Sequence, residues 1–168
     1  MIKNKNKKQI LITNDWTTPD DIWDGLIPFL IPYKDKTIWQ PFYCDGKCGK
    51  YLSSKGFNII HKCEDFFEVD YPNTIIVDNP PFNLCWLVRS KREIMKRCMK
   101  LNHPFILLFP TTIIQTQYFK EMFDEHFQFI IPPCKYNFFK DGEKTNKCPF
   151  YTMWICWKME LKNDINYI

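Results

Sequence analysis

A chain of 168 residues that is 45% hydrophobic and 17% aromatic can bury a core without metal or disulfide support, and it has room for one domain. Its net charge of +4 is matched by Lys3, Lys5, Lys7 and Lys8 in the Lys/Asn-rich stretch Met1 to Gln9, which leaves the body near neutral. No apolar run approaches the roughly 18 residues of a membrane span, and nothing behind Met1 to Gln9 resembles a secretion signal, so the cysteines read as free thiols of a reducing cytoplasm.

The stretch 1–9 reads either as a disordered solubilising tail or as a polyanion-binding arm. Asp15 to Asp20 offers caps for a first helix with Pro19 near its first turn. Ile22, Leu26, Phe29 and Leu30 follow at helical spacing, and the helix ends near Pro32. Thr37 to Phe42 reads as a first strand, Lys47 to Lys55 as a short helix closed by Gly56, and Phe57 to His61 as a second strand. Thr74 to Asp78 is a third, with Ile75, Ile76 and Val77 suited to a buried parallel strand. The prolines that follow cannot donate to a ladder, so the strand stops at Asp78. Ser90 to Lys100 is a basic helix, its Lys91, Arg92, Lys96, Arg97 and Lys100 set around Ile94 and Met95, and it is either a phosphate-facing or a solvated surface.

Phe105 to Phe109 is another buried strand, stopped by Pro110, and Gln115 to His126 a helix with Tyr118, Phe119 and Met122 inward. Phe127 to Ile131 and Phe150 to Lys158 are the last strands, with a polar loop between them. Strands alternating with helices predict an α/β fold, a mostly parallel sheet with an antiparallel hairpin at its end, in a single domain over residues 10–168. Cys44, Cys48, Cys63, Cys134 and Cys148, even with His61, do not stand at the spacings of a zinc ribbon or finger, so no metal is expected.

The segment Thr74 to Phe82 carries the chemistry. Pro81 stiffens Pro80 and Pro80 stiffens Asn79 just past the carboxyl end of a strand, where open α/β sheets place their ligands. A turn held in this way offers the Asn79 side-chain oxygen and the Pro80 carbonyl as two fixed acceptors, with Phe82 as a stacking face. Two acceptors suit a planar group bearing an NH2. They favour the pyramidal, nucleophilic form of an amine whose lone pair is otherwise delocalised into a ring.

Asn-Pro-Pro-Phe after an apolar strand resembles the catalytic motif of AdoMet-dependent amino-methyltransferases, chiefly the adenine-N6 enzymes. In a chain without room for a separate recognition domain it looks most like the small phage and viral DNA adenine methyltransferases. The resemblance implies a Rossmann-like class I methyltransferase fold, S-adenosyl-L-methionine as donor, and Asn79, Pro80, Pro81 and Phe82 as the catalytic set, Asn79 also bordering the donor. Gln40, Pro41, Phe42, Cys44, Asp45 and Gly46 then correspond to the donor-binding loop after the first strand, although the family usually has Asp or Glu where Gln40 stands and glycine where Cys44 stands. Glu64 or Asp65 corresponds to the acid that takes the ribose hydroxyls, and Asp65 with Phe66 to the pair that lies against the donor's adenine. Trp16, Thr18 and Pro19 correspond to the aromatic-x-Thr-Pro element at the donor's carboxylate end, and Thr18 also reads as a plain helix cap.

A target base has to be flipped out or single-stranded to reach such a turn. Lys135, Lys140, Lys144 and Lys147, interleaved with Tyr136, Phe138 and Phe139, are the expected nucleic-acid contacts, or else the loop is a mobile one with an aromatic plug. The resemblance favours adenine N6 in DNA, in the host cytoplasm if the chain is viral. It leaves open an RNA base amine (cap adenosine N6 or guanine N2), a protein glutamine, and a homo- or hetero-oligomer. Gln40 and Cys44 also admit a catalytically inactive interaction subunit of the same fold.

Overall fold

Alternate side chains along each strand are shared between two apolar clusters, and that division sets the architecture. The computed structural model describes residues 16–81, 90–140, 143–144 and 148–168. In chain order they form β1 (Trp16–Thr17), α1 (Asp20–Leu30), β2 (Thr37–Trp39), α2 (Lys47–Ser54), β3 (Asn58–Ile60), β4 (Thr74–Asp78), α3 (Lys91–Leu101), β5 (Phe105–Pro110), α4 (Gln117–Met122), β6 (Phe127–Ile131), β7 (Phe139–Lys140), β8 (Glu143–Lys144), β9 (Thr152–Trp157) and β10 (Ile165–Tyr167). Seven strands make one sheet in the order β10-β6-β9-β5-β4-β2-β3, and β1, β7 and β8 make a second, small sheet. In the large sheet β9 runs antiparallel to both neighbours, β5 and β6, and every other pairing is parallel.

Ile38, Ile75, Val77, Ile106, Leu108 and Trp154 meet Ile22, Trp23, Leu26, Leu30 and Leu52 from α1 and α2 on one face. Trp39, Ile76, Phe105, Leu107, Phe109 and Ile155 meet Ile94, Met95, Cys98 and Phe119 from α3 and α4 on the other. The fold is therefore α/β, a mostly parallel mixed sheet flanked by helices. Each fully buried large side chain contributes roughly 1.5–3 kcal/mol, and Trp23, Trp39, Trp154, Phe105 and Phe109 all lie wholly inside. Local signals agree with the packing. Ser90 and Glu93 close a capping box at the start of α3, and Asn102 in the left-handed region ends it. No helix among the described residues is long and apolar enough to cross a membrane.

Four segments depart from expectation. The first strand ends at Trp39 rather than Phe42, because Pro41 has no N–H and the Phe42 N–H is drawn to the Asp78 carboxylate at 2.7 Å. The helix expected over Gln115 to His126 is confined to Gln117–Met122. Thr116 sits extended between a 3-10 turn and α4 and caps the latter through Phe119 N. Beyond it Phe123 is extended, and Asp124 leaves the helix to accept from the indole N–H of Trp157 at 3.2 Å. The last expected strand begins at Thr152, after Phe150 and Tyr151. The small sheet and β10 were not anticipated, since two- and three-residue strands leave no periodic trace.

Candidate functional site

The chain steps from β2 outward to β3 and then returns across β2 to β4, so the strand order reverses between β2 and β4. A crevice at the carboxyl ends of two such strands is where open α/β sheets take ligands. Gln40 leaves β2 into one wall of it, the loop through Gly46, and Asn79 leaves β4 into the other, the turn through Pro80 and Pro81. Both prolines are buried, which fixes the turn by packing as well as by ring geometry.

Asn79 is the centre of this arrangement. Its side-chain Nδ2 donates to the Thr18 hydroxyl at 2.6 Å, while its Oδ1 is buried with no hydrogen-bond partner among the described residues. The contact joins two sequence elements 61 residues apart. Thr18 reaches it because Pro19 is the buried N-cap residue of α1, so the chain enters the helix beside the turn. Gln40, fully buried, has neither side-chain amide atom hydrogen-bonded among the described residues. Buried polar atoms without partners are costly and mark places where a ligand or water completes the set. Two adjacent strand ends carry them here.

The loop after β2 is shaped by two left-handed residues, Cys44 at φ 47° and Gly46 at φ 75°. The Cys44 thiol lies against Thr17, and burial, with Asp45 beside it, pushes its pKa up. The space a side chain would take at Gly46 is filled by Tyr43, whose hydroxyl would stand 2.7 Å from an added Cβ. Tyr43 in turn packs on His61 with ring centroids 4.8 Å apart, and burial lowers the His61 pKa. Asp45, exposed, pairs with Lys47 at 2.9 Å. Sequence reasoning weighed His61 only as a strand end and against a zinc site, whereas the structure sets it immediately after β3 beneath Tyr43.

The acid pair lies farther along. Glu64 accepts from the Tyr71 hydroxyl, and Asp65 accepts from Phe67 N at 2.9 Å, which caps a turn; both carboxylates are exposed. Phe66 is buried beneath the loop, its ring 5.3 Å from Phe42 and 5.5 Å from Trp39, with the Arg97 guanidinium over it. It props up the loop after β2 through Phe42.

Asp78 was treated in sequence only as the end of a strand. Its Oδ2 accepts from Phe42 N and its Oδ1 from Asn79 N, each at 2.7 Å, and burial pushes its carboxyl up to about 7 against the pull of those two bonds. Phe82, and the residues from it to Arg89, lie outside the described residues.

The late lysine loop is not loose backbone. Lys140 pairs with Trp16, Phe139 with Thr17, and Lys144 with Phe139, so a β-hairpin is fastened to the strand that leads into Thr18. Phe138 is wholly buried in the α1-side core, against Phe150 at 6.4 Å, so it anchors the hairpin and offers no stacking face. Lys135 lies over the Tyr151 ring at 5.7 Å, and Lys147 is outside the described residues. A separate shallow groove of about 410 Å³, lined by Ile114, Phe119, Phe123 and Phe129 among others, is built from other elements and contains none of the cleft residues.

The sequence elements expected to share a site thus do so at three points: Thr18 with Asn79, Phe42 with Asp78, and the lysine hairpin with Trp16 and Thr17. No protein-family model matches this chain, and neither a curated protein nor a solved structure does, so what the cleft can do has to be argued from its own residues.

Proposed function

We propose that the chain is an S-adenosyl-L-methionine-dependent methyltransferase acting on the exocyclic amine of a nucleic-acid base, with adenine N6 in DNA the first candidate. The observation that carries this is the orientation of Asn79. Its nitrogen is held by Thr18, so its oxygen stands as a buried acceptor without a partner, just beyond the carboxyl end of β4. Such an oxygen, with the Pro80 carbonyl one residue on, is suited to grip the two hydrogens of an NH2 group.

Acceptors already fixed by folding need no reorganisation as charge develops, which is the usual source of the largest electrostatic contribution to rate. Gripping both hydrogens turns the amine lone pair out of conjugation and toward a neighbouring electrophile. The amine becomes more acidic as it acquires positive charge, so no strong base is required. The donor, when bound, supplies an electrophilic methyl group on a sulfonium. Thr18, Gln40, and the loop of Pro41, Phe42, Cys44, Asp45 and Gly46 would hold it. The unpartnered amide of Gln40 is the polar atom pair in that wall still needing a ligand. Glu64 or Asp65 would take a ribose diol only by exchanging its present hydrogen bonds.

The strand order and the antiparallel β9 set beside the last parallel strands are compatible with a Rossmann-like class I methyltransferase sheet. Nucleic acid is favoured as substrate because a lysine-bearing hairpin is tied to the element that positions Asn79. A flipped base at the turn would then have phosphate contacts within reach.

The direct test is transfer of a radiolabelled methyl group from AdoMet to DNA, RNA and protein pools, followed by nucleoside and amino-acid analysis. N6-methyladenine in DNA is the expected product; label in an RNA amine or in glutamine would keep the chemistry and move the substrate. No transfer together with no AdoMet binding would refute the enzyme and leave a methyltransferase-like interaction subunit. Asn79→Ala should lower transfer about 10²- to 10³-fold, the range for losing one fixed polar contact to the reacting group. AdoMet affinity, measured by calorimetry, should change little, and equal loss of both would remove Asn79 from the acceptor site.

A further inference from the structure

Asp78 is 1% exposed, and among the described residues no cation pairs with it. A carboxylate buried without a countercharge is expensive, and a strand end needs only an apolar side chain for packing. What the carboxylate provides is a double connection. Phe42 N belongs to the loop leaving β2 and Asn79 N to the turn leaving β4, and one residue accepts from both at 2.7 Å. The contact to Phe42 spans 36 residues of chain, whereas the contact to Asn79 is with the next residue, so the group links the opposite walls of the cleft.

We propose that Asp78 is a positioning residue that braces the Gln40 to Gly46 loop against the Asn79 to Pro81 turn, so that the two walls keep one separation. Its consequence for rate rests on the methyltransferase reading; the brace itself does not. Among the described residues, the titratable groups facing Asp78 are thiols: Cys44 and Cys48 from the loop and helix beyond β2, and Cys98 from α3. Burial raises the pKa of each of them, so among the described residues Asp78 ionises without a charged neighbour. Its own carboxyl is held up to about 7 by burial, so the brace has two full acceptor oxygens above neutrality and loses one of them to a proton below it.

Nitrogen-resolved NMR of the wild-type chain reads this without any substitution. The Phe42 and Asn79 amide resonances should move together on one titration curve with a midpoint near pH 7. Separate midpoints, or no movement between about pH 5 and about pH 9, a span covering any half-ionised state of such a group, would overturn the proposal. Asp78→Asn retains one acceptor oxygen and sets an NH2 against the other N–H, so the shared titration should vanish. In that variant kcat should fall about 10²-fold, the usual effect of a small misplacement between reacting groups. The KM for AdoMet should stay nearly constant and the acid limb of the kcat profile should disappear. Wild-type kcat and an unchanged acid limb in a folded Asp78→Asn chain would also overturn it. Amides that titrate together in a chain that methylates nothing would uphold the brace and refute the methyltransferase, and transfer with uncoupled amides would do the reverse.

Discussion

Gly49 has no room for a side chain. A Cβ there would stand 2.1 Å from Nδ1 of His61 and 2.7 Å from its Cβ, so α2 approaches the segment after β3 at a distance only glycine allows. His61 supports Tyr43, and Tyr43 fills the space over Gly46, so the contact continues into the wall of the cleft. Gly49→Ala should cost about 1–3 kcal/mol, the range for forcing an extra carbon into a packed site. Its melting temperature should drop and its AdoMet affinity should weaken together; loss of stability alone would separate this packing from the donor-side wall. Asp78 gives a second test at the same scale. Its folded carboxyl holds a proton up to about pH 7, well above the ordinary Asp range, so folding is favoured by protonation and its contribution declines as pH rises through that interval. Denaturant midpoints of wild type and Asp78→Asn should therefore converge or cross as pH rises from about 4 to about 8, and a constant difference would contradict the shift. Asn79 and Thr18 were legible in the sequence because their motifs stand in a telling order. Asp78 and His61 were not, since their importance comes from partners distant in the chain.

At the scale of elements, long apolar runs were read well and short polar ones poorly. Thr74–Asp78 and Phe127–Ile131 have the expected bounds, because their mostly buried, β-branched and aromatic residues leave a strong strand signature. α4 was overextended because Tyr118, Phe119 and Met122 keep helical spacing into a region where Asp124 turns away to the Trp157 indole. The β7–β8 hairpin escaped notice because its pairing partner, Trp16–Thr17, stands far away in the chain. That pairing ties Lys140 and Lys144 to the strand that leads into Thr18. Replacing Lys135, Lys140, Lys144 and Lys147 with Ala should weaken nucleic-acid binding. The dependence of log K on log salt should become shallower by about one unit for each phosphate contact removed. An unaltered slope would place the interface elsewhere, the basic face of α3 being the next surface to examine.

Across the whole molecule, α1 and α2 cover one face of the sheet and α3 and α4 the other, and the strand order reverses between β2 and β4. The fold class could be read before any coordinates, because it follows from alternating strands and helices. The place of β9 could not. It lies between β5 and β6 and bonds to both, although it is made after both. During synthesis the flank of β5, five apolar residues and a proline, stays uncovered until the closing segment emerges, and β6 has nowhere in the growing sheet to dock. Closing of the sheet between β5 and β6 therefore waits on Thr152–Trp157. A ribosome that stops short of Thr152 releases a sticky half-sheet, an obvious client for chaperones and proteases.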